Sequence, residues 1–124
     1  MIEHEIDIPT RGGAMNTFVT HPEEGGPFPP VFFYMDAPGK REELHDMARR
    51  IATVGYWVAL PNLYYRRTRE FTMERTESGM QRMFEMMGHL TNTLVVQDTE
   101  ALLAYADAQQ VVRPGPAGVV GYCM

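Results

Sequence analysis

The chain has 124 residues, 44% of them hydrophobic and 22% charged, which suits one globular domain with a small core. A formal net charge of −5 without a basic stripe speaks against a nucleic-acid partner. A lone cysteine excludes an internal disulfide, Met1 to Ile8 carry no apolar signal core, and no apolar run reaches the roughly 18 residues of a membrane span, so the reading is a soluble, cytoplasmic protein with no membrane partner.

In chain order, Ile2, Ile6 and Ile8 alternate with charged residues and predict a strand with one apolar face. Arg11-Gly12-Gly13 reads as a turn, and Ala14 to Thr20 as the second strand of an antiparallel hairpin. Val31 to Met35 is a continuous apolar run, as expected of a strand buried on both faces. After the loop Asp36-Ala37-Pro38-Gly39, Leu44, Met47, Ala48 and Ile51 mark one face of a helix over Lys40 to Thr53. Tyr56 to Leu60 predicts a second buried strand. Arg69 to Met87 predicts a helix, with Arg66, Arg67 and Arg69 at its solvated start. Thr91 to Gln109 predicts another, capped by Thr91 or Asn92, and Ala117 to Gly121 a third buried strand. Strands alternating with helices predict an α/β fold, a mostly parallel sheet with helices on both faces and an N-terminal antiparallel hairpin.

The chemistry concentrates at Gly121-Tyr122-Cys123-Met124, directly after the last strand. A nucleophile elbow is written G-x-Nu-x-G and turns sharply from strand to helix, lifting the nucleophile above the sheet. Four of its five positions fall within the chain, and Gly121 and Cys123 fit. The bland alternative is a small buried thiol at a strand end. No histidine, cysteine or carboxylate cluster has metal-ligand spacing, since His45-Asp46 lacks partners. Gly115 and Gly118 make no phosphate loop, so no metal and no cofactor is expected.

Four segments taken together, Tyr34 to Gly39, Arg41 to Leu44, Gly55 to Arg66 and Val119 to Met124, resemble the dienelactone hydrolase family. The resemblance runs from about Val31 to the last residue. It is most specific in the Pro-x-Leu-Tyr segment at Pro61 to Tyr64 and in Gly-Tyr-Cys. It implies an α/β-hydrolase domain of which residues 1–124 are the N-terminal half, truncated after the nucleophile elbow; a complete domain would have about 200–250 residues. It further implies a Cys–His–Asp triad, with Cys123 attacking a small ester or lactone carbonyl to form an acyl-enzyme that water hydrolyses. The triad runs in chain order nucleophile, acid, histidine. His4, His21, His45 and His89 all precede Cys123, so the acid and the histidine are expected beyond residue 124.

Asp36 stands where the family usually carries a Glu that holds the resting thiol. Asp is one methylene shorter, and the alternative is a carboxylate bonded to the turn backbone beside Pro38 and Gly39. The resemblance assigns the oxyanion hole to the backbone N–H groups of Ala37 and Met124; Pro38 has none to give. Arg82, with Gln81 an equal by spacing, is the candidate for binding a substrate carboxylate, against an exposed helix residue. Tyr64 and Tyr65 are expected to cover the sheet end near the site, against plain packing. Met80, Met83, Met86 and Met87 either line an adaptable pocket or pack the helix. The competing function is a non-catalytic fragment or binding module of the same fold.

Overall fold

The computed structural model describes residues 1–122. They form five strands and three helices in the order β1 (Ile2–Thr10), β2 (Gly13–His21), β3 (Pro30–Tyr34), α1 (Glu42–Ala52), β4 (Trp57–Pro61), α2 (Glu77–Gly88), α3 (Asn92–Asp107) and β5 (Gly118–Gly121). The strands make one sheet in the order β1-β2-β4-β3-β5.

β1 and β2 pair antiparallel from Ile2↔His21 to Thr10↔Gly13. The tight reversal places Gly13 at φ +130°, a conformation that side-chain-bearing residues avoid. β2 also runs antiparallel to β4, whereas β4–β3 and β3–β5 are parallel. The sheet is therefore mixed. Its parallel character belongs to β4, β3 and β5, and the hairpin extends it with opposite polarity.

Strands β3 and β4 are buried on both faces, as their unbroken apolar runs predict. Side chains alternate across the pleat. Val31, Phe33, Val58 and Leu60 join one core with Leu44, Ala48 and Ala52 of α1 and Met83 and Met86 of α2. Phe32, Trp57 and Ala59 join the other with Ile8, Met15, Val19 and Leu102 and Ala106 of α3. Helices thus cover both faces of the sheet. In α1 the core residues recur every fourth position, with Glu42 and Glu43 in the first turn and Arg49 and Arg50 in the last, each complementing the helix dipole.

Three expectations need correction. The helix predicted from Arg69 begins only at Glu77, where the Thr76 hydroxyl accepts from the Gly79 N–H. The preceding stretch is held out of helical geometry because Asn62 Nδ2 donates to the carbonyls of Thr68 and Arg69, Asn16 Nδ2 also donates to that of Arg69, and Phe71 is buried. Consequently Arg66, Arg67 and Arg69 do not open a helix. Arg66 pairs with the fully buried Asp98 of α3, and Arg69 with Asp7 of β1. Finally, β5 is not a buried strand: Val119 is 57% exposed, because β5 lies at the sheet edge and pairs only with β3 among the described strands.

Candidate active site

The parallel register brings two chain exits together. Tyr34, the last residue of β3, is the partner of Gly121, the last residue of β5. The ends of β3 and β5 therefore lie side by side at the same carboxyl edge, where open α/β sheets place their ligands. Tyr122 is half exposed, and its ring packs at 5.6 Å from that of Phe33. Cys123 and Met124, the predicted nucleophile and one predicted oxyanion donor, lie outside the described residues.

On the β3 side, Met35 is buried and anchors the chain before the turn at Asp36 to Gly39. The turn is closed by the Gly39 N–H donating to the Asp36 carbonyl at 3.1 Å. The Asp36 carboxylate does not bond the turn backbone, the alternative raised by its sequence context. It is taken instead by the Arg41 guanidinium in a two-point fork, Nη1–Oδ1 at 2.6 Å and Nη2–Oδ2 at 3.0 Å. The same Nη1 donates to the Gly39 carbonyl at 2.8 Å. Hydrogen bonding to Asp36 holds the Arg41 guanidinium above its ordinary range, against the opposing cost of partial burial.

Ala37 is buried, and its carbonyl accepts from the Tyr64 hydroxyl at 2.7 Å. Among the described residues none accepts from the Ala37 N–H. Tyr64 is itself almost wholly buried; burial first, and the Asp36 charge second, push its phenol up to about 12. Its ring meets Phe71 edge-on at 5.4 Å. Arg82 on α2 is exposed and lies over the other partner of that contact, with its guanidinium carbon 5.4 Å from the Phe71 ring centre. Tyr64 is thus brought to the Asp36 loop directly, and Arg82 only through Phe71. Of the methionines, Met83 and Met86 are core residues, whereas Met80 is exposed.

Tyr65 points to the opposite core. Its hydroxyl donates to Asp98 Oδ1 at 2.7 Å, and Arg66 meets both carboxylate oxygens of Asp98 at 2.7 and 3.0 Å. Asp98 was not singled out by sequence reasoning. The available signal was its position midway between Leu94 and Leu102 at the four-residue helical spacing. Arg41 was likewise legible only as part of a motif, without a role.

Neither His21 nor His45 is available at this edge as a free base. His21 lies at the amino edge of the parallel strands, one residue beyond the Thr20↔Val58 pair, and its Nδ1 bonds the Pro22 carbonyl. The His45 ring stacks on Phe18 at 4.2 Å with Nδ1 on Glu42. A cleft of about 830 Å³ opens beside Pro38 and Arg41, but it is lined from the hairpin side of the sheet by Glu5, Asp7 and Asn16 and does not reach Tyr122. Among the described residues no group of three His, Cys, Asp or Glu converges as a metal site.

The mixed sheet with helices on both faces has the architecture of the α/β-hydrolase class. The sequence model of the dienelactone hydrolase family matches residues 15–124, and the chain belongs to that family. It is 28% identical over 123 residues to a protein of Methylorubrum extorquens named as a carboxymethylenebutenolidase, covering 99% of this chain and 41% of that protein. A similarly named protein of Synechocystis is 25% identical over 118 residues and is covered to 48%. The chain thus spans about half the length of the curated relatives it matches. The crystal structure of a Klebsiella pneumoniae protein described as a dienelactone hydrolase superposes with a TM-score of 0.83 at 24% identity, over 98% of this chain and 50% of that one. A cold-adapted esterase from an Arctic intertidal metagenomic library gives 0.72 at 19% identity, covered to 50%. These two likenesses are of fold.

Proposed function

We propose that the protein hydrolyses small esters or lactones with Cys123 as nucleophile, through an acyl-enzyme. The observation that carries this reading is the Tyr34↔Gly121 register, which sets the exit of the strand preceding Cys123 next to the Asp36-Ala37 loop. Membership of the dienelactone hydrolase family supports it independently. The Cys123 thiolate attacks the substrate carbonyl carbon, the carbon–oxygen double bond becomes an oxyanion, and collapse expels the alkoxide. Water then cleaves the thioester.

The developing oxyanion is received by the Ala37 and Met124 N–H groups. Removing such a donor from an acyl-transfer site costs on the order of 10²-fold or more in kcat. Tyr64 belongs to this site as the residue that holds the Ala37 carbonyl. Arg82, stacked on Phe71 at the mouth, is the cation available to a carboxylate-bearing substrate. The triad acid and histidine follow Cys123 in the chain, in keeping with the order of this fold and with the engaged positions of His21 and His45. The resemblance would set Asp36 against the thiol, yet its carboxylate is engaged by Arg41.

The test uses the full-length natural protein with a small chromogenic ester. Alkylation of Cys123 is expected to abolish turnover in step with modification, and Cys123→Ala to lower kcat at least a thousandfold, to the level left by binding and the oxyanion hole. Undiminished turnover in Cys123→Ala would refute the reading.

A further inference from the structure

The turn after β3 is fixed at every carbonyl it carries from Asp36 to Gly39 except that of Pro38. The Asp36 carbonyl accepts from the Gly39 N–H, the Ala37 carbonyl from Tyr64 Oη, and the Gly39 carbonyl from Arg41 Nη1. Gly39 sits at φ +95°, and a Cβ there would lie 3.4 Å from Phe71 and 3.6 Å from Tyr64, so the turn is also packed from below. In a trans peptide the C=O and N–H point in opposite directions. The only cis peptide among the described residues is Gly26-Pro27. An Asp36 carbonyl turned inward to Gly39 therefore turns the Ala37 N–H outward, and no described residue accepts from it.

Arg41 is the side chain that closes this arrangement. It reaches both carboxylate oxygens of Asp36 at one end of the turn and the Gly39 carbonyl at the other. A carboxylate one methylene shorter than Glu fits this local clamp, with the partners only five positions apart. Both oxygens facing the fork are committed, in a pair that is largely buried on the Asp36 side.

Resting on the proposed hydrolase reading, we infer that Arg41 is a positioning residue: its fork on Asp36 and Gly39 presents the Ala37 N–H to the substrate oxyanion, and Asp36 serves as the anchor of that turn and not as the partner of the thiol. In this role Arg41 acts through the geometry of one peptide.

The experiment compares wild-type full-length protein with Arg41→Lys, Arg41→Ala, Asp36→Asn and the Asp36→Asn/Arg41→Ala double variant. It measures kcat and KM on p-nitrophenyl acetate, the pH dependence of Cys123 alkylation by iodoacetamide, and thermal unfolding. Both Arg41 variants and Asp36→Asn are expected to lose about tenfold or more in kcat with KM within about threefold of wild type. The double variant is expected to be no worse than the poorer single, because one clamp is being broken twice. The pH midpoint of alkylation is expected to stay in place in all of them. Arg41→Lys keeps the charge and loses the fork, so it carries the test if Arg41→Ala does not fold. A kcat within about twofold of wild type in Arg41→Lys, in protein that Cys123→Ala inactivates, would overturn this inference alone. A shift of about one pH unit or more in the alkylation midpoint of Asp36→Asn would likewise return Asp36 to the thiol. Activity retained in Cys123→Ala would remove the underlying reading, and the inference with it.

Discussion

Asp98 lies on the face of α3 that carries Leu102 into the core, and its fully buried carboxylate holds Tyr65 and Arg66. A buried charge costs several kcal/mol to desolvate and is tolerated only with its partners in place. Asp98→Ala leaves the Arg66 guanidinium without its acceptor and is expected to cost about 3–5 kcal/mol in urea unfolding. Asp98→Leu combined with Arg66→Met removes both charges and is expected to cost far less than the single change. His45 gives a pH-dependent counterpart. Burial, with Lys40 second, lowers its folded pKa below 6.5, against the opposing pull of Glu42 and Glu5, and its Nε2 has no hydrogen-bond partner among the described residues. The unfolded chain then binds the proton more readily than the folded one, so stability is complete above pH 6.5 and is lost as the pH falls through and below that value. His45→Gln is expected to flatten this slope when melting temperatures are compared at about pH 7.5 and about pH 5.5.

At the scale of elements, the start of α2 separates local propensity from tertiary control. Glycine in a helix is ordinarily worse than alanine by about 1 kcal/mol, so Gly79→Ala would be stabilising on propensity alone. Here a Cβ on Gly79 would stand 2.0 Å from the Glu74 carbonyl oxygen, because the 69–76 segment folds back over the first turn of the helix. Gly79→Ala is therefore expected to destabilise, by about 1–3 kcal/mol for an overpacked site, as read by chemical denaturation. Thr76→Ala and Thr91→Ala each remove a hydroxyl that accepts from the first turn of its helix, at Gly79 and Leu94. Each is expected to cost about 1 kcal/mol. The strands behave differently. Val31, Phe33, Val58 and Leu60 face one core and Phe32, Trp57 and Ala59 the other, so their pairing is specified from both sides.

Across the described residues, the sheet has β1 of the hairpin at one edge and β5 at the other. Val119 and Tyr122 are exposed beside an unpaired strand edge, a combination that favours edge-to-edge association. A polypeptide of residues 1–124 is expected to self-associate in size-exclusion chromatography, and Val119→Lys to shift it toward monomer. Concentration-independent monomeric elution of the unsubstituted chain would contradict this.

What was legible beforehand follows from range. The apolar runs of β3 and β4, the helical spacing of Leu44, Met47, Ala48 and Ile51, and the Thr91 cap are interactions within a few residues, so periodicity and capping chemistry determine them locally. The hairpin turn is local for the same reason. The rest was decided in three dimensions. Asn16 holds the Arg69 carbonyl from 53 positions away, together with Asn62, which is bonded to Asn16 across 46 positions, and this keeps the start of the 69–76 segment out of a helix that its own spacing favours. The Arg66–Asp98 pair joins residues 32 positions apart, and the adjacency of Asp36 to the exit of β5 depends on a register between distant strands. The single sequence carries the residues for these contacts but no periodicity that reports them, because the burial that makes a charge pair or a register favourable exists only once both helices lie on the sheet.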